Sequence, residues 1–388
     1  MENNTIKPSL GNAARGEAFY PRDREVKRIF RVLDTNASIY LSAPRRVGKT
    51  SILQHLEDLE EDNGYYFIYT ITESVDSIND FFKVLYETML KSKAIKRLAK
   101  RYKSLGGFID NVAKRIDSIG DLKIKEHQEQ DYRGQFMALL DNIERGVGRV
   151  VIMVDEFPQT LHNIHKKDGA GEARKLLQLV REARHYKLAE ENVSFIYTGS
   201  ISLFPMVGKI GSLTDVNDLQ PIEVEPLARA EAADLIMRLC NRGKVTITTQ
   251  AINYLLDTIR CFIPFHIQLI SYELQDLYTD KDLAEADVQT AIDKTIDAKN
   301  KARFEPYFSR LEGLLEVNEY AFAMEVLSHV ARQDSIDEAT LFDKAVKHEV
   351  NNQKDIIDML CEDGYLYKSG SNFIYTSPIL QLWCKKFN

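Results

Sequence analysis

With 388 residues, 44% hydrophobic and 28% charged side chains, the chain has the composition of an ordinary globular protein long enough for two or three domains. No apolar run approaches the roughly 20 residues that a membrane helix requires, and a net charge of −7 weighs against wholesale nucleic-acid binding. Met1 to Asn4 carry neither the basic nor the apolar region of a signal peptide. Cysteines 240, 261, 361 and 384 have neither paired spacing nor histidine partners at metal-ligand spacing, so reduced thiols in a cytoplasmic protein are expected.

Residues 1–18 read as a polar, weakly ordered lead-in. Phe19-Tyr20-Pro21-Arg22 then precedes a helix over 26–33, and an aromatic pair in that place could cover an adenine face. The strand 37–42 leads into Ala43-Pro44-Arg45-Arg46-Val47-Gly48-Lys49-Thr50, and Ser51 opens a run with helical apolar spacing. A strand, a glycine-containing loop and a helix make a phosphate cradle, because loop amides and the helix N-terminus point at one spot. Lys49 would reach the β- and γ-phosphates of a nucleotide, and the Thr50 hydroxyl would ligate Mg²⁺. Ala43 stands where such loops usually have glycine.

Further strands are expected at 66–71, 150–154, 194–198 and 222–225, with helices at 49–62, 77–90, 131–145 and 170–188. This alternation is the pattern of a parallel α/β sheet. The stretch 91–130 looks like a less regular excursion. It carries Lys91, Lys93, Lys96, Arg97, Lys100, Arg101 and Lys103, which suits a solvated helix face or a local nucleic-acid-binding patch. Val150 to Val154 are five apolar residues, as in a strand buried on both faces, and Asp155-Glu156 follow at its C-terminal end. Asp155 would hold Mg²⁺ through water, and Glu156 would act as general base on the attacking water. Thr198 or Ser200, ending the next strand, could orient that water. His162 and His165 stand i, i+3 without a helpful acidic neighbour, so no metal site is expected there.

After Pro226, amphipathic helices at 229–242, 249–260, 264–278 and 285–307 suggest a small helical domain. From about 314, three helices and a hairpin around Ser369-Gly370-Ser371 suggest a winged helix. Its third helix, about 351–363, sets Lys354 against Asp355, Asp358, Glu362 and Asp363, which is a poor surface for phosphate.

Phe19, Arg22 and Glu25, the loop 43–50, Asp155-Glu156, Thr198-Gly199-Ser200 and Pro226-Leu227 together resemble the prokaryotic AAA+ ATPases of the archaeal-ATPase group. That group lies near the STAND signalling ATPases and the origin-recognition initiators. The resemblance covers about 15–388 and implies an α/β P-loop AAA+ core at 19–225, a helical lid at 226–310 and a winged helix at 311–388. It implies ATP or ADP with Mg²⁺ as ligands, held by residues 43–51 with Tyr20, Arg22 and Pro264 on the adenine side. Arg260 or His266 is the candidate phosphate sensor, and Arg184 or Arg181 the candidate arginine finger acting on a neighbouring subunit. Arg45 and Arg46 would meet phosphate or a partner chain.

The leading expectation is a nucleotide-dependent switch that hydrolyses ATP slowly and acts on a protein partner or by self-association. The alternatives are a DNA-associated ATPase like initiators or transposition regulators, and a nucleotide-binding scaffold with almost no turnover.

Overall fold

The computed structural model describes residues 5–59, 64–120, 130–143, 148–186, 192–279 and 281–387. Expectations for 1–4, 60–62, 121–129, 144–145 and 187–188 lie outside them. The chain packs as two compact units. A sheet unit comprises Arg22–Ser42 with Ile52–Glu223, and a helical unit comprises Met1–Pro21, Ala43–Ser51 and Val224–Asn388.

The first part of the chain runs α1 (Asp23–Leu33), β1 (Ser38–Ser42), α2 (Lys49–Asp58), β2 (Tyr65–Ile71), α3 (Ile78–Lys91), α4 (Lys93–Arg101), α5 (Lys103–Gly120) and α6 (Tyr132–Asp141). It continues through β3 (Arg149–Asp155), α7 (Phe157–Asp168), α8 (Ala170–Arg184), β4 (Val193–Thr198), α9 (Leu203–Ile210) and β5 (Leu219–Glu223). The strands form one parallel sheet in the order β2-β3-β4-β1-β5. Val150 to Val154 are fully buried, as a strand covered on both faces requires. Beside the sheet, Phe81, Phe157 and Tyr197 form an aromatic chain with centroid separations of 5.7 and 4.7 Å.

Two sequence expectations change here. β5 begins at Leu219 rather than 222 and contains Pro221. Proline cannot donate to a ladder, and β5 is an edge strand paired on one side to β1, the place in a sheet where proline is tolerated. The stretch expected to be irregular contains α4 and α5. In α4 the buried stripe Ala94, Ile95 and Leu98 is short and hidden in a basic run, and Ser92 caps the helix by accepting from the Ile95 N–H at 3.1 Å. Its basic residues form an exposed face.

The rest of the chain forms α10 (Arg229–Arg242), β6 (Thr246–Ile247), α11 (Thr249–Ile259), α12 (Pro264–Leu277), β7 (Asp282–Leu283), α13 (Glu285–Thr295), α14 (Lys301–Leu314) and α15 (Val317–Gln333). It ends with β8 (Ile336–Asp337), α16 (Glu338–Lys347), α17 (Gln353–Glu362), β9 (Leu366–Ser369), β10 (Asn372–Tyr375) and α18 (Pro378–Phe387). The helix expected over 285–307 is interrupted at 296–300, where the Asn300 side chain donates to the Thr295 carbonyl at 3.1 Å in place of a helical N–H. β8, β10 and β9 form a small antiparallel sheet, so the hairpin gains a third strand. α18 was not foreseen; it buries Trp383, whose ring stacks on Phe304 at 4.7 Å.

The lead-in is not loose over its described residues. Ile6 is buried and its N–H bonds the Arg238 carbonyl, while Ser9 N–H donates to Gln268 Oε1 at 2.6 Å and Ala14 N–H to Ser51 Oγ at 2.9 Å. A short polar segment is ordered here because its backbone donors find fixed acceptors. Among the described residues no helix is long and apolar enough to cross a membrane.

Candidate active site

In a parallel sheet all strands end at one edge, and β1, β3 and β4 are neighbours in this one. β3 delivers Asp155 there, with 2% of its surface exposed. Tyr69, on β2, donates its hydroxyl to Asp155 Oδ2 at 3.0 Å, and the Glu156 N–H donates to Oδ1 at 3.1 Å. Burial first, and then the Asp155 charge, lift the Tyr69 hydroxyl far above its usual pKa, so it stays a proton donor. The Asp155 carbonyl accepts from the Thr72 N–H at 3.0 Å and the Thr72 hydroxyl at 3.1 Å, and Thr160 braces Thr72 from α7.

Glu156 makes the turn from strand to helix in one residue, with φ at +60° and Phe157-Pro158 opening α7. A left-handed conformation costs a non-glycine residue roughly 1–2 kcal/mol. Ser200 fixes the side chain, because its N–H and its hydroxyl both donate to Glu156 Oε2, at 2.8 and 2.9 Å. Gly199 permits this approach: a Cβ there would lie 2.7 Å from Pro158 Cδ and 3.3 Å from Glu156 Oε2. The other candidate hydroxyl, Thr198, is fully buried and donates to the Leu41 carbonyl at 2.7 Å, so Ser200 is the hydroxyl that meets the acidic pair.

Arg184 is committed inside the sheet unit. It is 6% exposed, and Nε and Nη2 donate to the two carboxylate oxygens of Asp218 at 2.6 and 2.8 Å. This pair gives Arg184, a candidate arginine finger, a fixed partner within the sheet unit. Arg181 donates to the Thr214 carbonyl. Arg22 is also buried, with Nη2 on Glu25 Oε1 at 3.1 Å.

The loop belongs to the helical unit, with Tyr20 and Pro264. Gly48 has φ at +112°, which explains why glycine is needed there even though a Cβ would meet nothing closer than 4.0 Å. Val47 is buried, Lys49 begins α2, and the amides of Lys49, Thr50 and Ser51 belong to the helix's first turn. Lys49 Nζ donates to the carbonyls of Ala43 at 2.6 Å and Pro44 at 3.3 Å, so the lysine folds back over its own loop. Tyr20 donates to Asp234 at 3.0 Å, and Pro264 is the first residue of α12. His266 lies in the core: its Nδ1 is 3.2 Å from Ser377 Oγ, and burial, with the Arg46 charge, pushes its pKa down to about 3. Arg260 is exposed at the end of α11, with φ at +48°.

The sequence reading missed Tyr69 and the Thr72–Thr160 brace. The signal for Tyr69 was present, since a tyrosine two residues from the end of a buried strand reaches the edge where Asp155 emerges.

The fold is similar to that of a Walker-type ATPase of Pyrococcus abyssi, with a TM-score of 0.67 and 14% identity over 97% of this chain and 99% of that one. It is also similar to the Orc2 protein of Aeropyrum pernix, described with ADPNP and ADP, with a TM-score of 0.53 and 12% identity over 99% and 95%. No curated protein matches the sequence. Residues 19–244, more than half of the chain, match the family described as an ATPase domain predominantly from Archaea, and the protein belongs to that family.

Proposed function

We propose that this ATPase of the archaeal, AAA+ type works as a nucleotide-dependent switch. The observation that carries the reading is that the phosphate loop 43–51 packs as part of the same compact unit as 224–388. A change imposed on the loop by nucleotide is therefore a change in the C-terminal half. In this reading 19–225 is the AAA+ core, 226–310 the lid and 311–388 a winged helix, the last supported by three helices, α15 to α17, with a three-stranded antiparallel sheet.

The loop amides, from Ala43 to Ser51, and Lys49 hold the phosphates, with Tyr20, Arg22 and Pro264 assigned to the adenine side. Thr50 and Asp155 are assigned to Mg²⁺; a buried carboxylate fixed on both oxygens is the hard oxygen donor this ion takes. Bound there, Mg²⁺ would neutralise charge developing on the β- and γ-oxygens. Glu156, held by Ser200, takes the proton of the attacking water. Lys49→Ala deletes the cation that meets the phosphates, so calorimetry should find ATP binding reduced to a small fraction. Unchanged ATP affinity in that variant would remove the assignment.

The partner is proposed to be a protein, or a second copy, rather than DNA. On α17 the exposed charged side chains are Lys354, Asp355, Asp358 and Glu362, and Lys368 on β9 is already paired with Glu338 at 2.7 Å. Beside them α16 exposes Phe342 and Val346, 58% and 60% accessible, one turn apart. At about 150 mM salt, where exposed charges are screened within about 8 Å, duplex DNA should bind no more tightly than micromolar. Nanomolar, ATP-dependent binding lost on changing Lys354 and Lys368 would favour the DNA-associated ATPase instead.

A further inference from the structure

Three consecutive loop residues are each pinned to a different element of the C-terminal half. The Pro44 ring lies against Gly364, ahead of β9, so closely that a Cβ on Gly364 would be 2.6 Å from Pro44 Cβ. Gly364 has φ at +79°, a second reason for glycine. Arg45 Nη1 donates to the Pro306 carbonyl in α14 at 2.9 Å, and its guanidinium lies over the Tyr307 ring, 5.6 Å from the centroid. Arg46 lies over Phe265, in the first turn of α12, at 4.4 Å. Behind these contacts Arg310 pairs with Asp363 and donates to the Tyr365 hydroxyl at 2.9 Å, and Tyr365 in turn donates to the Tyr307 carbonyl.

These contacts coexist with Lys49 folded onto the Ala43 and Pro44 carbonyls. A phosphate that draws Lys49 Nζ outward removes the two hydrogen bonds shaping the part of the loop that touches Gly364. The Arg45 guanidinium stays charged, as arginine does, but it sits where charge is costly. Burial, and then the charge of Arg310, pull its pKa below the usual guanidinium range.

We infer that Pro44, Arg45 and Arg46 form an autoinhibitory latch, in which α12, α14 and the turn before β9 hold the phosphate loop in the shape where Lys49 folds onto the Ala43 and Pro44 carbonyls, until nucleotide or a partner draws Lys49 away. The inference rests on the proposed switch and names its moving contact. By linkage, whatever affinity the nucleotide loses in opening the latch is returned when the latch is opened by other means.

The test weakens the latch from its C-terminal side and leaves the loop intact. ADP affinity is measured by calorimetry on the full chain, for wild type, Tyr307→Leu and Phe265→Leu. Each variant is expected to bind ADP about 5-fold or more tightly, at the lower end of usual allosteric coupling. A second measurement needs no variant: hydrogen exchange of the wild type should quicken over 301–314 and 364–369 when ADP is added. Unchanged or weaker affinity in folded variants overturns the latch, as does exchange in those segments that ignores ADP. If wild type binds and hydrolyses nucleotide normally while both readouts stay flat, the latch alone fails. If wild type binds no nucleotide, the switch itself fails and the latch with it.

Discussion

Glu156→Gln is expected to bind ATP with near wild-type affinity while releasing phosphate more slowly by on the order of 10²–10⁴-fold, the usual contribution of a positioned acid–base group. The substitution keeps the shape of the side chain and an oxygen for Ser200, and removes only the ability to take a proton. Oε2 already receives two hydrogen bonds from Ser200, so proton transfer falls to Oε1. The clamp gives a companion expectation. Ser200→Ala keeps the backbone donor and loses the hydroxyl, one hydrogen bond to a charged group, worth about 1.5 kcal/mol or roughly tenfold in rate if it positions the base. Single-turnover phosphate release together with calorimetric ATP affinity separates the two effects. Equal rates for wild type and Glu156→Gln would place the base elsewhere, and equal inactivity of both would favour the scaffold reading.

The parts of this site that could be read from sequence are those whose signal is local. The loop 43–50 announces itself through its glycine, lysine and threonine between a strand and a helix, and β3 through five apolar residues ending in two acids. The arrangement of the acids could not be read. The hold on Glu156 depends on Gly199 leaving room beside Pro158, and on Ser200, which comes from a different strand end. Tyr69 was hidden among the aromatic residues of β2, where it reads as core. The latch is harder still, because Arg45 meets Pro306 261 residues along the chain and no periodicity links them. Two missed helices share one cause, a short apolar stripe masked by its neighbours: α4 within a run of lysines and arginines, and α18 behind a hairpin.

Arg184→Ala is expected to destabilise the fold by about 3–5 kcal/mol, the range for removing one partner of a buried ion pair. That is a large share of the roughly 5–15 kcal/mol available to a typical domain. The Arg184 side chain is 3% exposed and Asp218 is 16% exposed. Burial alone would raise the Asp218 carboxyl, but the hydrogen bonds and charge of Arg184 hold it below its ordinary range. Without the guanidinium, Asp218 keeps its burial and retains His185, an exposed group at 3.3 Å. The pH dependence has a definite sign. A depressed carboxyl contributes stability above its unfolded pKa, about 3.9, and loses it as pH falls through the lower folded value. The variant should therefore lose stability most at neutral pH and approach wild type in acid. Thermal unfolding of Arg184→Ala beside a double Leu variant at 184 and 218 distinguishes pairing from packing, since removing both charges should restore most of the loss. A finger acting on a neighbouring subunit would give the opposite pattern: an unchanged melting temperature in Arg184→Ala, with turnover lost only where chains assemble.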